Sequence, residues 1–80
     1  MTRSTILHDS PVAFIGAGAM GEAMIGGLLR HNLMEPDAIT ASDLHPERLN
    51  EVERLFNVRT SRDNRAAARR AHIVVLAVKP

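Results

Sequence analysis

The 80-residue chain has no cysteine, tryptophan or tyrosine and only two phenylalanines. Without cysteine the protein forms no disulfide, has no thiolate nucleophile and builds no zinc site of the cysteine type. This composition is typical of a reducing compartment, and we expect the cytoplasm. The four histidines lack the spacing of metal ligands, and neither a zinc-protease motif nor a pair of catalytic carboxylates occurs. The sequence therefore predicts no metal site and no catalytic residue in this stretch.

Long apolar runs are also absent. The longest one, residues 73–78, is far shorter than the roughly 20 residues that span a bilayer, so we expect no membrane association. Residues 1–10 have no apolar core of the kind found in a secretory signal. We expect them to form a loose, disordered tail that precedes a single domain at residues 11–80.

Positive charge is concentrated toward the end of the chain. Residues 1–58 carry a net charge of −4 and residues 59–80 a net charge of +5, with histidine neutral. A basic segment can indicate nucleic-acid binding. The only aromatic residues, Phe14 and Phe56, lie outside this segment, so no ring is available there to stack on bases. A solvated helix with cations near its C-terminal end explains the same charge, and we expect no nucleic-acid partner.

The most informative motif is Gly16-x-Gly18-x-x-Gly21, which follows the apolar run Val12–Ile15 and precedes a helical pattern. In that context the motif is the dinucleotide-binding fingerprint. Gly16 permits a sharp turn, Gly18 lets a pyrophosphate approach the backbone, and Gly21 lets the helix pack closely on the strand. The free N–H groups at the start of the helix would face the phosphates.

The remaining pattern alternates short apolar strands with amphipathic helices. We expect strands at residues 12–15, 39–42 and 73–78, the first and the last of them buried on both faces, and helices at residues 20–30, 46–56 and 64–71. Residues 58–60 are expected to be briefly extended, and Asn32 and Asn57 to be left-handed helix caps. This order predicts the α/β class, as the βαβαβ half of a Rossmann-type doubly wound parallel sheet, truncated after the third strand. We expect the second half of the domain to be missing from these residues.

Three further expectations concern the helices and the loop after the second strand. Met20 and Met24 are expected in the buried stripe of the first helix. Gly26 and Gly27 each cost on the order of 1 kcal/mol relative to alanine. They are expected to allow close approach of that helix to the sheet, and the alternative is a weak spot in the helix. His45 is expected to be a surface loop residue rather than a contact of the adenine end of a cofactor.

Asp43 lies 22 residues after Gly21, at the end of the predicted second strand. An acid there can accept hydrogen bonds from the adenosine ribose, and its charge repels a 2′-phosphate, which favours NAD over NADP. Arg48 and the basic segment around Arg62 and Arg65 offer positive charge that would neutralise such a phosphate, so the sequence leaves the choice between NAD and NADP undecided. Capping of the following helix by Asp43 is the alternative role.

With these segments placed, the chain resembles the N-terminal part of pyrroline-5-carboxylate reductase over residues 12–80. The resemblance rests on FIGAGAMGEAMIGGLL at 14–29, SD-x-x-PERL at 42–49, the DN pair at 63–64 and VVLAVKP at 74–80. The first block also resembles the hydroxyacid dehydrogenase superfamily. The resemblance implies a reductase that converts 1-pyrroline-5-carboxylate to proline, in proline biosynthesis, with NADPH or NADH as hydride donor.

The resemblance also implies which residues bind the cofactor. The backbone of residues 15–20 would hold the pyrophosphate, Asp43 would contact the 2′ end of the ribose, and Asn64 would border the nucleotide, although Asn64 is equally suited to cap a helix. The full implied set is Ile15, Gly16, Ala17, Gly18, Ala19, Met20, Gly21, Asp43, Asn64, Ala77, Val78, Lys79 and Pro80.

Two departures from that family concern single residues, and a third concerns length. The family often has asparagine or glutamine in place of Ala19, and many members have a small hydroxyl residue in place of Asp43. Members bind the imine substrate and form homo-oligomers through a helical C-terminal domain that these 80 residues do not include. We therefore expect the 80 residues alone to be inactive. The alternatives are a sister oxidoreductase, either of the hydroxyacid dehydrogenase type or dependent on cofactor F420, and a non-catalytic dinucleotide-sensing module.

Overall fold

The computed structural model of the protein describes residues 10–77. The expectations for residues 1–9 and for Val78, Lys79 and Pro80 lie outside the described residues. The elements are β1 (Val12–Ile15), α1 (Ala19–Arg30), a short 3-10 turn (Pro36–Ala38), β2 (Ile39–Ser42), α2 (Pro46–Phe56), β3 (Arg59–Ser61), α3 (Asn64–Arg69) and β4 (Ile73–Leu76).

The four strands form one parallel sheet in the order β3-β2-β1-β4. The predicted α/β class and the parallel βαβ arrangement are confirmed. The sheet has one strand more than predicted, because residues 59–61 pair with β2 instead of merely being extended. Since β3 has only polar side chains, it lacks the apolar run that marks the other strands.

The chain changes direction across the sheet at β1. From β1 it proceeds through α1 and α2 to β2 and β3 on one side, and then crosses through α3 to β4 on the other side of β1. Ile15 is in register with Ser42 and with Leu76, so the carboxyl ends of the strands meet at one edge. In open α/β sheets this edge, at such a switch point, is where ligands bind.

The core lies on both faces of β1. Val12 and Phe14 pack on one face with buried residues of α1, α2 and β2, whereas Ala13 and Ile15 pack on the other face with Ala67 of α3. All four residues of β1 are buried, as expected for a central parallel strand.

The expectation that the last strand is buried on both faces is wrong for the described structure. Ile73 and Val74 are exposed, and Leu76 is 72% exposed. The reason is that β4 is an edge strand of the sheet described for residues 10–77, paired with β1 alone, and within this strand only Val75 packs against the core.

The first helix buries a different stripe from the one predicted. Gly21 and Ile25 are its buried residues, whereas Met20 is 63% exposed and Met24 is also exposed. The close-approach role assigned to the glycine pair is also wrong. A Cβ on Gly26 would only touch the Phe56 ring of α2 at 3.5 Å, and a Cβ on Gly27 would meet nothing within 4 Å.

Both predicted asparagine caps are confirmed. Asn32 and Asn57 adopt left-handed backbone angles, with φ of 55° and 60°. After α1 the N–H of Leu33 donates to the Leu28 carbonyl oxygen at 3.0 Å, and the N–H of Asn32 donates to that of Leu29 at 3.1 Å. This pair of bonds is the Schellman arrangement, which satisfies the last carbonyl groups of the helix. Within residues 10–77 no helix has the length and apolar character to cross a membrane.

Candidate functional site

The glycine turn joins β1 to α1 at the carboxyl edge of the sheet. Gly16 has a φ of 102°, which side chains rarely permit, and its N–H donates to the Ser42 carbonyl oxygen at 2.7 Å. Gly18 is the N-cap of α1, and no side chain caps this helix. The N–H groups of the first turn are therefore left for a ligand, as the positive end of the helix dipole favours for an anion.

The second and third glycines of the motif have different surroundings. A Cβ on Gly21 would lie 2.6 Å from the carbonyl oxygen of Gly16, so only glycine allows α1 to pack this closely on the turn. A Cβ on Gly18 would have no heavy atom within 4 Å. Gly18 thus borders open space at the helix start, which fits the approach of a diphosphate to the backbone.

Asp43 connects the end of β2 to the glycine turn. Its Oδ2 accepts the N–H of Ala17 at 2.9 Å, and its Oδ1 accepts the N–H of His45 at 3.0 Å and lies 2.9 Å from Nδ1 of the His45 ring. The N-cap of α2 is His45, with no side-chain cap, so the capping role proposed for Asp43 is wrong. Burial raises the pKa of the Asp43 carboxyl, but the hydrogen bonds from Ala17 and His45 outweigh it, so the pKa lies below its ordinary value.

Arg48, near the start of α2, reaches the same turn from the other side. Its Nε donates to the Ala17 carbonyl oxygen. Its Nη2 lies 2.5 Å from a carboxylate oxygen of Glu22 in α1, and its Nη1 lies 2.5 Å from one of Glu51 in α2. The hydrogen bond that Arg48 donates to Glu22, together with the one that it donates to Glu51, outweighs partial burial and raises the pKa of Arg48 above its ordinary value. The guanidinium therefore joins α1, α2 and the glycine turn.

Asn64 lies at the same edge, at the first position of α3. The buried Ser42 hydroxyl donates to its side-chain oxygen. The N-cap of α3 is Asp63, whose Oδ1 accepts the N–H groups of Arg65 at 2.9 Å and Ala66 at 3.2 Å. The alternative that Asn64 caps this helix is therefore wrong, and its side chain lies in the cleft instead.

A cleft of about 570 Å³ opens at this edge. Its lining is made by Ile15, Gly16, Gly18, Ser42, Asp43, Leu44, His45, Glu47, Arg48, Glu51, Asn64 and Ala77.

Six of the residues predicted to bind a cofactor therefore meet around one cavity: Ile15, Gly16, Gly18, Asp43, Asn64 and Ala77. Four others do not line it, namely Ala17, Ala19, Met20 and Gly21. Ala17 is fully buried within the turn, and Ala19 and Met20 are exposed at the start of α1.

Sequence reasoning missed part of this lining. His45 is exposed, as predicted, but its ring borders the cleft beside Asp43. Glu47 and Glu51, which were not predicted, also border it, beside Arg48, which was a candidate phosphate partner. A signal for the two glutamates existed: α2 begins directly after the carboxyl edge of β2, and positions 47, 48 and 51 share one helix face. Arg62 and Arg65, the other candidate phosphate partners, do not line the cleft.

Fold and site together define a dinucleotide-binding domain of the Rossmann type, with the glycine turn, an acid after β2 and an open helix N-terminus at the switch point. The chain belongs to the family described as "NADP oxidoreductase coenzyme F420-dependent", which it matches over residues 11–80. This membership confirms the nicotinamide cofactor class predicted from the glycine motif.

The resemblance to pyrroline-5-carboxylate reductase is also confirmed. The chain is 35% identical over 74 residues to that enzyme from Methanosarcina acetivorans and 42% identical over 74 residues to the one from Vibrio alginolyticus. In each case the match covers 92% of this chain and 27% of the relative. The chain thus spans about a quarter of the length of these relatives.

Solved structures give the same result. The fold matches a pyrroline-5-carboxylate reductase from Coxiella burnetii with a TM-score of 0.83 and 35% identity, over 89% of this chain and 26% of that one. It also matches the WlbA dehydrogenase from Chromobacterium violaceum, solved with NADH and UDP-GlcNAcA, with a TM-score of 0.71 over 98% of this chain and 24% of that one. The identity to WlbA is only 20%, so that likeness concerns the fold alone.

Proposed function

We propose that the intact protein carrying these residues is a pyrroline-5-carboxylate reductase, and that residues 11–80 supply part of its NAD(P)H site. The observation that supports this function most directly is the similarity to reductases of that name across 92% of the chain. The uncapped start of α1 beside the open space at Gly18 supports the nucleotide role independently. The proposal includes a cytoplasmic location and a role in proline biosynthesis.

In this proposal different residues of the cleft bind different parts of the cofactor. Backbone N–H groups at the start of α1 would hold the diphosphate, with Gly18 keeping the approach free. Asp43 already accepts three hydrogen bonds, and a carboxylate offers about four acceptor sites, so it retains room for one ribose hydroxyl. Asn64 and Ala77 border the same cavity, and Val78, Lys79 and Pro80 remain predictions from the resemblance. When bound, the dinucleotide supplies the hydride.

The charges of the cleft support NADH as the preferred cofactor. Asp43, Glu47 and Glu51 line it, and the one arginine among the described residues of its lining is already paired with Glu22 and Glu51. A 2′-phosphate near these carboxylates meets a repulsion of about 1 kcal/mol per unit-charge pair at 4 Å in water and about 4 kcal/mol at an effective dielectric constant of 20. We therefore expect at least about tenfold tighter binding of NADH than of NADPH, since tenfold corresponds to about 1.4 kcal/mol.

The substrate is an imine, and the parts of the protein that bind it lie outside these residues in this proposal. Orientation of the imine carbon against the nicotinamide depends on those parts, so residues 11–80 bind the cofactor without completing the reaction. The proposal accordingly places the homo-oligomer contacts there as well.

The test is an assay of the intact protein with pyrroline-5-carboxylate and either NADH or NADPH. We expect oxidation of the cofactor that requires the imine, with proline as the product. The matched control is Gly18→Ala, which places a methyl group in the open space at the helix start and should weaken cofactor binding about tenfold or more. Tight binding of the cofactor by the wild type without turnover would contradict the proposed substrate and favour a dinucleotide-sensing module.

A second candidate function follows from the family description, which names coenzyme F420. In that case the intact protein would exchange a hydride between F420 and the nicotinamide. The two candidates separate in one experiment, in which NADP and reduced F420 are supplied without the imine. Reduction of NADP under these conditions would favour the second candidate.

A further inference from the structure

Arg48 has no assigned role in the resemblance to the reductases, yet it contacts more parts of the site than any other side chain of the cleft described above. We propose that Arg48 is a positioning residue, which fixes the glycine turn and neutralises Glu22 so that the start of α1 is ready to accept a diphosphate. This inference rests on the dinucleotide-binding role proposed above.

The first argument concerns the backbone of Ala17. This residue is fully buried, and both of its polar backbone groups are held by side chains from outside the turn. Asp43 accepts its N–H at 2.9 Å, and Arg48 donates to its carbonyl oxygen. The turn is flanked by Gly16 and Gly18, which have wide conformational freedom. Two charge-assisted hydrogen bonds at the middle residue restrict that freedom to one arrangement.

The second argument is electrostatic. Glu22 lies in the first turn of α1, close to the N-terminus that a diphosphate would approach. An uncompensated carboxylate at this place stabilises the helix but repels an anionic ligand. Arg48 contacts Glu22 at 2.5 Å, and both side chains are largely shielded, at 24% and 35% exposure. The guanidinium therefore removes a repulsion that α1 alone would present.

The third argument is that contact with all three partners requires the shape of the arginine side chain. Nε, Nη1 and Nη2 each bind a different partner, namely the Ala17 carbonyl oxygen, Glu51 and Glu22. A planar guanidinium holds these directions together, whereas the ammonium group of lysine is a compact point charge on a flexible stem. Glu51 lies three residues further along α2 and keeps the group in place.

The experiment measures dissociation constants of NADH by calorimetry for the intact protein. We expect Arg48→Met to weaken binding about tenfold or more, which is the effect of losing one hydrogen bond to a charged group. Arg48→Lys should weaken it nearly as much, although it keeps the charge. Adding Glu22→Gln to Arg48→Met should restore part of the affinity, because the unpaired carboxylate is gone.

The matched control is Arg54→Met, which removes the same charge from an exposed position of α2 that does not line the cleft. Its affinity for NADH should equal that of the wild type. In a turnover assay the KM for NADH should rise in both Arg48 variants, while kcat and the KM for the imine stay unchanged, which a general loss of structure would not produce.

Two results would overturn the inference. If Arg48→Met binds NADH within twofold of the wild type, the turn needs no positioning by this residue. If Arg48→Lys binds NADH as tightly as the wild type, a positive charge is sufficient for binding and the contacts of the guanidinium with three partners have no role. This variant also tests the inference if Arg48→Met fails to fold. A wild type that binds neither NADH nor NADPH contradicts the proposed function instead, so the two failures are distinguishable.

Discussion

Replacing Gly21 with alanine places the new Cβ 2.6 Å from the carbonyl oxygen of Gly16 and 3.6 Å from the Cβ of Ala77. The first distance is far below ordinary van der Waals contact, and the oxygen belongs to the backbone of the glycine turn, so it cannot rotate away. The start of α1 must therefore move off β1. Overpacking of this kind costs about 1–3 kcal/mol, and the upper part of that range applies because backbone has to shift. The better helix propensity of alanine returns about 1 kcal/mol, which leaves a net loss of about 2 kcal/mol.

Gly27→Ala is the matched control, because it makes the same change in the interior of the same helix. A Cβ at Gly27 meets nothing within 4 Å, so only the propensity gain of about 0.5–1 kcal/mol remains. The two alanine variants should therefore change stability in opposite directions. A change of 1 kcal/mol moves the Tm by about 4–8 °C in a domain of 60–100 residues and by about 2–4 °C in one of 150–250 residues. The smaller shift applies to the intact protein, because these residues span about a quarter of the length of the relatives.

The assay is thermal unfolding of the intact protein followed by circular dichroism, with the wild type and both variants measured side by side. We expect Gly21→Ala to lower the Tm of the unfolding step and Gly27→Ala to raise it slightly. Equal Tm values for the two variants, or an increase in both, would refute the close contact between α1 and the glycine turn.

Three other predictions follow from single residues. Gly18→Ala should leave the Tm within a few degrees of the wild type, since its Cβ meets no protein atom, yet weaken NADH binding about tenfold or more in calorimetry. Because the pKa of Asp43 is lower in the folded protein than its unfolded value of about 3.9, the ionised carboxylate stabilises the fold. This stabilisation is complete above the unfolded pKa and is lost as the pH falls through the folded pKa. The difference in unfolding free energy between the wild type and Asp43→Asn should therefore be constant above about pH 5 and shrink below it. Asp63→Ala removes the acceptor for two N–H groups of α3 and should cost about 1 kcal/mol, whereas Asp63→Asn should cost less in the same denaturant titration.

Much of the fold was predictable because its signals are local. Val12–Ile15 is a continuous apolar run, and Ile39–Ser42 alternates apolar residues with hydroxyl residues. Each lies between turn residues, and both strands have the predicted bounds. Pro46 suits the first turn of a helix, and Asn57 accepts a left-handed conformation at the other end, so α2 also has its predicted bounds. In each case the residues that decide the boundary lie within it or next to it.

The differences arise where an element depends on distant neighbours. Strand β3 is stabilised by backbone pairing with β2 and by the buried Val58 beside it. Since its own side chains are polar, they do not show the apolar pattern that predicts a strand. The exposure of β4 follows from its place at the edge of the sheet, which no window of sequence reports. Met24 and Ile25 are equally apolar neighbours in α1, and only the position of the sheet decides that Ile25 is the buried one.

The candidate site shows the same division. The glycine spacing identified the turn, and the distance from Gly21 to Asp43 identified the acid at the end of β2. Neither signal reveals that Asp43 and Arg48 both hold Ala17, because those bonds span 26 and 31 residues of sequence. They exist because parallel strands bring the turns after β1 and β2 to one edge.

This arrangement also bears on cofactor choice, which a carboxylate at position 43 does not decide alone. A 2′-phosphate that recruits Arg48 must displace Glu22 or Glu51 from the guanidinium. The exchange replaces one charge-assisted contact of Arg48 by another and leaves the displaced carboxylate unpaired, so its net gain is small. NADH demands no such exchange. The proposed preference for NADH therefore depends on the two glutamates that contact Arg48 as much as on Asp43. Glu22→Gln combined with Glu51→Gln should narrow the difference between the NADH and NADPH dissociation constants while Asp43 is intact.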